Sequence, residues 1–128
     1  MIITDSTLNE ITLDNPAPIA STDGSRVRGA DQNRYHDLTL YRQDDGTLVC
    51  HIEYFSDWDG ENDHDTILTA PDLNDLRGQL QKFELSYVRG FPPLPQYEKR
   101  QTNLIHWLRG NFCLGGKDLI IAARKALS

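Results

Sequence analysis

The segment FSDWDGENDHDT, residues 55–66, carries the residues most able to do chemistry in this chain. A carboxylate stands at every second position: Asp57, Asp59, Glu61, Asp63 and Asp65. On a straight strand all five would lie on one face and repel one another. Because Asp-Gly is also a common turn dipeptide, we predict a turn-containing acidic connection between two strands.

Oxygen-rich loops of this kind are typical ligands of calcium. The EF-hand pattern fails here, because Gly60 follows the second acid directly and no Glu stands at the distance that the motif requires. His64 suggests a transition metal, but no second histidine stands at ligand spacing. A divalent cation held by a loop of another type is left as an open alternative.

Trp58 is unexpected among five acids. It either folds back onto the core and anchors the loop, or is exposed as an interaction hot spot. We expect anchoring, because surface tryptophans are uncommon. The predicted partner-binding surface consists of Asp57, Trp58, Asp59, Glu61, Asp63 and Asp65.

A β-hairpin over residues 35–55 should position this segment, since two β-rich runs flank an Asp-Asp-Gly sequence. A two-residue turn would mix apolar and polar residues across each pair. A three-residue loop with Gly46 in the left-handed conformation instead pairs Leu40 with Cys50 and gathers the apolar residues on one face. We predict that second register, with an apolar face formed by Leu38, Leu40, Leu48, Cys50, Ile52 and Tyr54.

The opposite face of the same hairpin is a second candidate site. There Asp37 opposes Glu53, and His51 lies diagonally from Asp37. Two carboxylates directly opposite each other repel and require a cation, a proton or water. The alternative functional prediction is therefore a small-ligand or metal site formed by Asp37, His51, Glu53 and Tyr41. A half-exposed face neutralised by arginines from elsewhere would explain the same pattern.

Strands followed by helices are typical of an α+β fold. A third strand near 66–69 makes the predicted sheet antiparallel. We expect about three C-terminal helices to pack on it: 71–83, 97–113 and 118–127. The first should be capped at Thr69 or Ala70, and Gly115-Gly116 should end the second.

The length of 128 residues indicates one domain, 1–128. Within it, residues 1–32 are expected to form an irregular N-terminal arm. Alternating apolar residues between 8 and 13 allow one short strand there, and residues 26–28 allow another.

The net charge of −6 argues against direct binding to nucleic acid, which depends on clustered basic residues. The charge is also unevenly distributed. Residues 1–76 contain 16 acidic residues and 4 arginines, whereas residues 77–128 contain 9 basic and 3 acidic residues. This produces an electric dipole if the halves occupy different regions of the fold, and it is neutralised if they interleave. A head-to-tail homo-oligomer is an open alternative.

No apolar run has the length of a membrane span, and the N-terminus lacks the pattern of a secretory signal. The two cysteines are not at metal-ligand spacing, so we expect reduced thiols in a cytoplasmic protein.

No nucleophile elbow, zinc-protease motif or dinucleotide fingerprint is present, which argues against an enzyme. The predicted function is that of a small acidic binding protein without a cofactor. It would occupy a basic, nucleic-acid-type groove of a protein partner, as an inhibitor or as an immunity or anti-defence protein.

Overall fold

The computed structural model describes residues 1–26 and 33–128. The strands are β1 Ile2–Thr4, β2 Glu10–Thr12, β3 Ala20–Thr22, β4 Arg34–Arg42, β5 Leu48–Ser56 and β6 His64–Ala70. The helices are α1 Leu73–Lys82 and α2 Glu98–Leu127, with short 3-10 turns at Gly24–Arg26 and Pro95–Tyr97. Val27 and Arg28, expected in a short strand, lie outside the described residues. Neither described helix combines the length and apolar character needed to cross a bilayer.

Strands β3, β4, β5 and β6 form one antiparallel sheet in that order. The predicted hairpin register is confirmed, with Leu40 opposite Cys50. At its turn Gly46 has φ of +92°, and the Gln43 N–H donates to the Thr47 carbonyl at 2.8 Å. Glycine adopts this left-handed conformation without the steric penalty that a side chain adds. The Asp-Asp-Gly turn therefore sets the register of the whole hairpin.

The predicted third strand is confirmed, since β6 includes residues 66–69. Different elements pack on the two faces of the four-stranded sheet. Helix α2 packs on β3 and β4, while α1 packs on β6 and α2. Beneath them the predicted apolar face of the hairpin is at most 3 % exposed. On the other face, β1 and β2 form a second antiparallel sheet over a smaller apolar cluster. That cluster consists of Ile3, Leu13, Tyr41 and Val49.

The expectation of about three C-terminal helices is wrong, because 97–113 and 118–127 are parts of the single helix α2. Its buried residues recur at helical spacing through the glycine pair: Leu108, Phe112, Gly116, Leu119, Ile120 and Ala123. A Cβ on Gly116 would lie 3.6 Å from Leu80 Cδ1 on α1. That distance is an ordinary van der Waals contact, and burial of the apolar residues on both sides of the glycine pair outweighs the roughly 1 kcal/mol that each interior glycine costs.

Helix α1 is also shorter than the predicted 71–83. Its N-cap is Asp72 rather than Thr69 or Ala70, because the Asp72 Oδ1 accepts from the Asp75 N–H at 2.8 Å. Carboxylates favour this position, where they satisfy a free N–H and interact with the helix dipole.

Replacing Gly115 with alanine should raise the free energy of unfolding by about 0.5–1 kcal/mol. In a continuous helix, alanine orders the backbone at lower entropic cost, and a Cβ there meets Leu38 and Thr22 only at 3.8 Å. Urea unfolding followed by circular dichroism measures the change. Gly46→Ala, with its positive φ, is the contrasting variant and should lose about 1–2 kcal/mol. A loss of stability for Gly115→Ala would instead indicate a helix end at this position.

Candidate functional site

The connection between β5 and β6, residues 57–63, is the acidic loop. It turns at Gly60, whose φ is +79°, which confirms the predicted turn. Asp57, Asp59 and Asp63 are exposed, whereas Glu61 is buried. The carboxylates of the run therefore do not share one face.

Glu61 lies beneath the loop and is only 8 % exposed. Both of its carboxylate oxygens lie 3.1 Å from Arg34 Nε, and Oε2 also lies 3.1 Å from Nη2. The Tyr54 hydroxyl donates to Oε1, and the Gly90 N–H donates to Oε2 at 3.0 Å. Glu61 is thus removed from the predicted partner-binding surface, because its oxygens are buried and hydrogen-bonded inside the protein.

The contacts of Glu61 keep it ionised. Burial alone would raise its pKa, but hydrogen bonds from Arg34, Tyr54 and Gly90, with the guanidinium charge, lower the pKa below its usual value. Burial and the neighbouring carboxylate raise the pKa of Tyr54, which keeps the hydroxyl a donor. An unpaired charge at this depth would cost several kcal/mol, so the network holds the loop in one position.

Trp58 lies above this ion pair rather than in the core. It is 48 % exposed, and the Arg34 guanidinium carbon lies 5.1 Å from its ring centroid. The expectation that Trp58 anchors the loop is wrong, since Glu61 has that role. A cation–π contact contributes about 0.5–1 kcal/mol at an exposed site, which favours a fixed orientation of the indole.

Sequence reasoning missed Arg34, although a signal for it existed. The repulsion between the carboxylates called for a nearby cation. The hairpin register places Arg34 opposite Ser56, the last residue of β5. This pairing brings its guanidinium to the base of the loop.

The last two acids of the run are held by hydrogen bonds within the protein. Asp63 accepts from the Ser56 N–H at 2.9 Å, across the base of the loop. Asp65 belongs to β6, where Oδ1 accepts from the Ser6 hydroxyl at 2.7 Å and Oδ2 lies 2.7 Å from His51 Nε2. Both oxygens of Asp65 are engaged within the sheets, so Asp63 is the better placed of the two to contact a partner.

The alternative site on the opposite sheet face is only partly assembled. Asp37 opposes Glu53 as predicted, and His51 Nδ1 lies 3.8 Å from Glu53 Oε1. However, the Asp37 carboxylate accepts from the Gly24 N–H at 2.8 Å, and Tyr41 is buried in the smaller apolar cluster. Of the four predicted residues, His51 and Glu53 lie within ion-pair distance of each other.

Ser6, Asp65 and His51 form a chain of hydrogen bonds in which the carboxylate is central. In a nucleophilic triad the histidine lies between the serine and the carboxylate. This arrangement is therefore not that of a nucleophilic triad. Within the described residues, no three His, Cys, Asp or Glu side chains are grouped as ligands for a metal ion.

A buried histidine on β4, His36, was also missed. Its Nε2 is hydrogen-bonded to the Tyr87 hydroxyl, and the His64 ring stacks on Tyr87 with centroids 4.4 Å apart. Burial and the charge of His64 lower the pKa of His36 to about 3. The available signal was its register position opposite Tyr54, on the inward face of the hairpin.

The charge asymmetry of the sequence follows the layers of the fold. Residues 77–128, with 9 basic and 3 acidic residues, form most of the helical layer. The described part of residues 1–76 contains both sheets and the acidic loop. Among the described residues the two halves lie mostly in different layers.

Comparisons with protein-family models, curated proteins and solved structures find no match for this chain.

Proposed function

We propose that this chain is a non-catalytic binding protein whose acidic loop docks into a basic groove of a partner protein. One observation carries the proposal. Trp58 is half-exposed at the surface of a loop that the buried Arg34–Glu61 pair holds from below. A solvated connection needs neither a buried ion pair nor an exposed indole, whereas a docking loop benefits from both.

The physical advantage is preorganisation. A flexible loop loses conformational entropy when it binds, which weakens binding. A loop that is already held in its bound position avoids this loss. Tryptophan is among the residues that contribute most to protein interfaces, because it buries a large apolar surface. Asp57, Asp59 and Asp63 are exposed on the same loop and give it negative charge, which favours rapid association with a positive surface.

The charge of the loop indicates the class of partner. A groove that binds nucleic acid carries clustered basic residues, and exposed carboxylates can occupy the places where phosphates would lie. The proposed role of the chain is therefore to inhibit a nucleic-acid-binding protein or enzyme, as an immunity or anti-defence protein.

Neutralising the loop should weaken binding to such a partner. A partner is first captured from native lysate and identified by mass spectrometry, and its dissociation constant is then measured at several salt concentrations. We expect at least tenfold weaker binding for the triple variant Asp57→Asn, Asp59→Asn, Asp63→Asn. For Trp58→Ala we expect a loss of about 2 kcal/mol, or roughly 30-fold. Wild-type affinity should fall steeply as salt rises.

A matched control removes the same charge from the other end of the hairpin. Asp14, Asp44 and Asp45 are exposed around the β4–β5 turn, and changing all three to Asn should leave the dissociation constant within twofold. Equal losses for both triple variants would mean that net charge, not the loop, causes binding. Unchanged affinity of the loop variants would reject the proposal.

A further inference from the structure

We propose that the groove between α1 and α2 is a second docking surface, and that its occupant is an acidic amphipathic helix of a partner protein. The groove encloses about 480 Å³. Leu80 on α1 and Phe112 and Ile120 on α2 line its floor, and Ile121 lies at its edge with 43 % of its surface exposed. It shares no residue with the acidic loop.

The basic residues at the edge of the groove indicate the charge of the occupant. Arg77, Lys117 and Arg124 line the groove, and no acidic residue does. All three are exposed, and none forms a salt bridge with a carboxylate in the part of the chain that the structure describes. An apolar floor with three basic side chains at its edge is complementary to a segment with an apolar stripe flanked by carboxylates.

The shape of the groove favours a helix over a small amphiphile. Six lining residues are exposed: Arg77, Gln81, Cys113, Lys117, Ile121 and Arg124. Ligand pockets usually enclose most of their ligand, and this open groove would leave a small molecule largely in water. Cys113, Lys117, Ile121 and Arg124 follow one another along α2 at spacings of three or four residues. They define a wall of about 16 Å, which matches about three turns of a bound helix.

A second copy of the chain fits less well. Symmetric pairing of two grooves would bring the basic side chains of each copy against those of the other, and like charges across an interface cost free energy. An acidic helix introduces no such repulsion.

The test uses a synthetic peptide of about four helical turns, with Leu at i, i+4, i+7 and i+11 and Glu on both flanks. A scrambled peptide of the same composition keeps the charge but loses the stripe. We expect the amphipathic peptide to bind at least tenfold more tightly than the scrambled one, with an affinity that falls as salt rises. Fluorescence anisotropy measures both affinities.

The cysteines of the chain report where the peptide binds. Cys113 is exposed and lines the groove, whereas Cys50 is buried at 0 % exposure. The amphipathic peptide should slow alkylation of Cys113 several-fold, while the scrambled peptide should not. Cys50 provides an unreactive internal reference in the folded protein.

Variants locate the surface without disturbing the core. Ile121→Glu, and Lys117→Glu with Arg124→Glu, should each weaken peptide binding at least tenfold. Lys99→Glu with Arg100→Glu is the matched control, because it makes the same charge change at exposed positions near the other end of α2. Thermal melting confirms that each variant is folded.

Several results would overturn the inference. These are equal binding of the scrambled peptide, no protection of Cys113, or equal losses in the control variant. Binding to vesicles of anionic lipid but not to the peptide would assign the groove to a membrane surface instead. Concentration-dependent light scattering that the groove variants abolish, without peptide binding, would assign it to a second copy. None of these results depends on the acidic loop, so this inference and the proposed function fail independently.

Discussion

Replacing Glu61 with alanine should lower the free energy of unfolding by about 3–5 kcal/mol. The substitution leaves the guanidinium of Arg34 buried, with a side chain only 7 % exposed and without its carboxylate partner. It also removes the acceptor of the Tyr54 hydroxyl and the Gly90 N–H, and each buried unpaired group adds its own desolvation penalty. Urea unfolding monitored by circular dichroism gives the change directly.

The double variant Arg34→Met, Glu61→Leu distinguishes a lost charge partner from a lost contact. Replacing both members of a buried pair with apolar residues is often nearly neutral, so the part of the loss caused by the unpaired guanidinium should return, while the Tyr54 hydroxyl and the Gly90 N–H still lack their acceptor. Asp59→Ala, an exposed acid of the same loop, is the surface control and should stay within about 0.5 kcal/mol of wild type. A loss below about 1 kcal/mol for Glu61→Ala would place Glu61 among ordinary surface ion pairs.

The stability of the fold should also fall by about 2 kcal/mol between pH 7 and pH 5, through His36. Burial and the charge of His64 lower the pKa of His36 to about 3, whereas an unfolded histidine has a pKa of about 6.5. Below pH 6.5 the unfolded chain therefore binds a proton that the folded protein excludes. Stability is present above the unfolded pKa and decreases as the pH falls, with a slope approaching 1.4 kcal/mol per pH unit.

Titration of the buried Glu61 does not mask the effect of His36 between pH 7 and pH 5. The folded pKa of Glu61 lies below its usual value of 4.5, so the stability that Glu61 contributes is present above that value and is lost only at lower pH. Glu61 therefore adds little to the change in unfolding free energy between pH 7 and pH 5.

A pair of substitutions isolates His36. His36→Gln removes the titrating group and should flatten the pH dependence of stability, whatever its effect at pH 7. His106→Gln makes the same change at an exposed position of α2 and should leave the slope unaltered. Equal slopes for wild type and His36→Gln would show that His36 does not cause the pH dependence.

Several features of the fold could be predicted from local sequence pattern. The hairpin register follows from the left-handed Gly46 and from apolar alternation, which agree on only one pairing of the strands. The turn at Gly60 and the third strand follow from equally local signals. These predictions succeed because turns and alternation depend on residues adjacent in the chain.

The packing of the helices could not be predicted in this way. A glycine pair is a common helix end, but Gly116 is buried against Leu80 of α1, and the apolar residues on both sides of the pair are buried as well. The continuity of α2 therefore depends on contacts between elements that are distant in the sequence.

Contacts between distant segments also decide which carboxylates of the acidic run are exposed on the acidic loop. Alternation alone cannot tell which carboxylate is buried, because burial of Glu61 requires a guanidinium from β4, the Tyr54 hydroxyl and a backbone donor at Gly90. Once these contacts hold Glu61, Trp58 is left half-exposed above Arg34. Residue type and spacing specify the strands and turns, while charge pairing across distant segments selects which side chains face a partner.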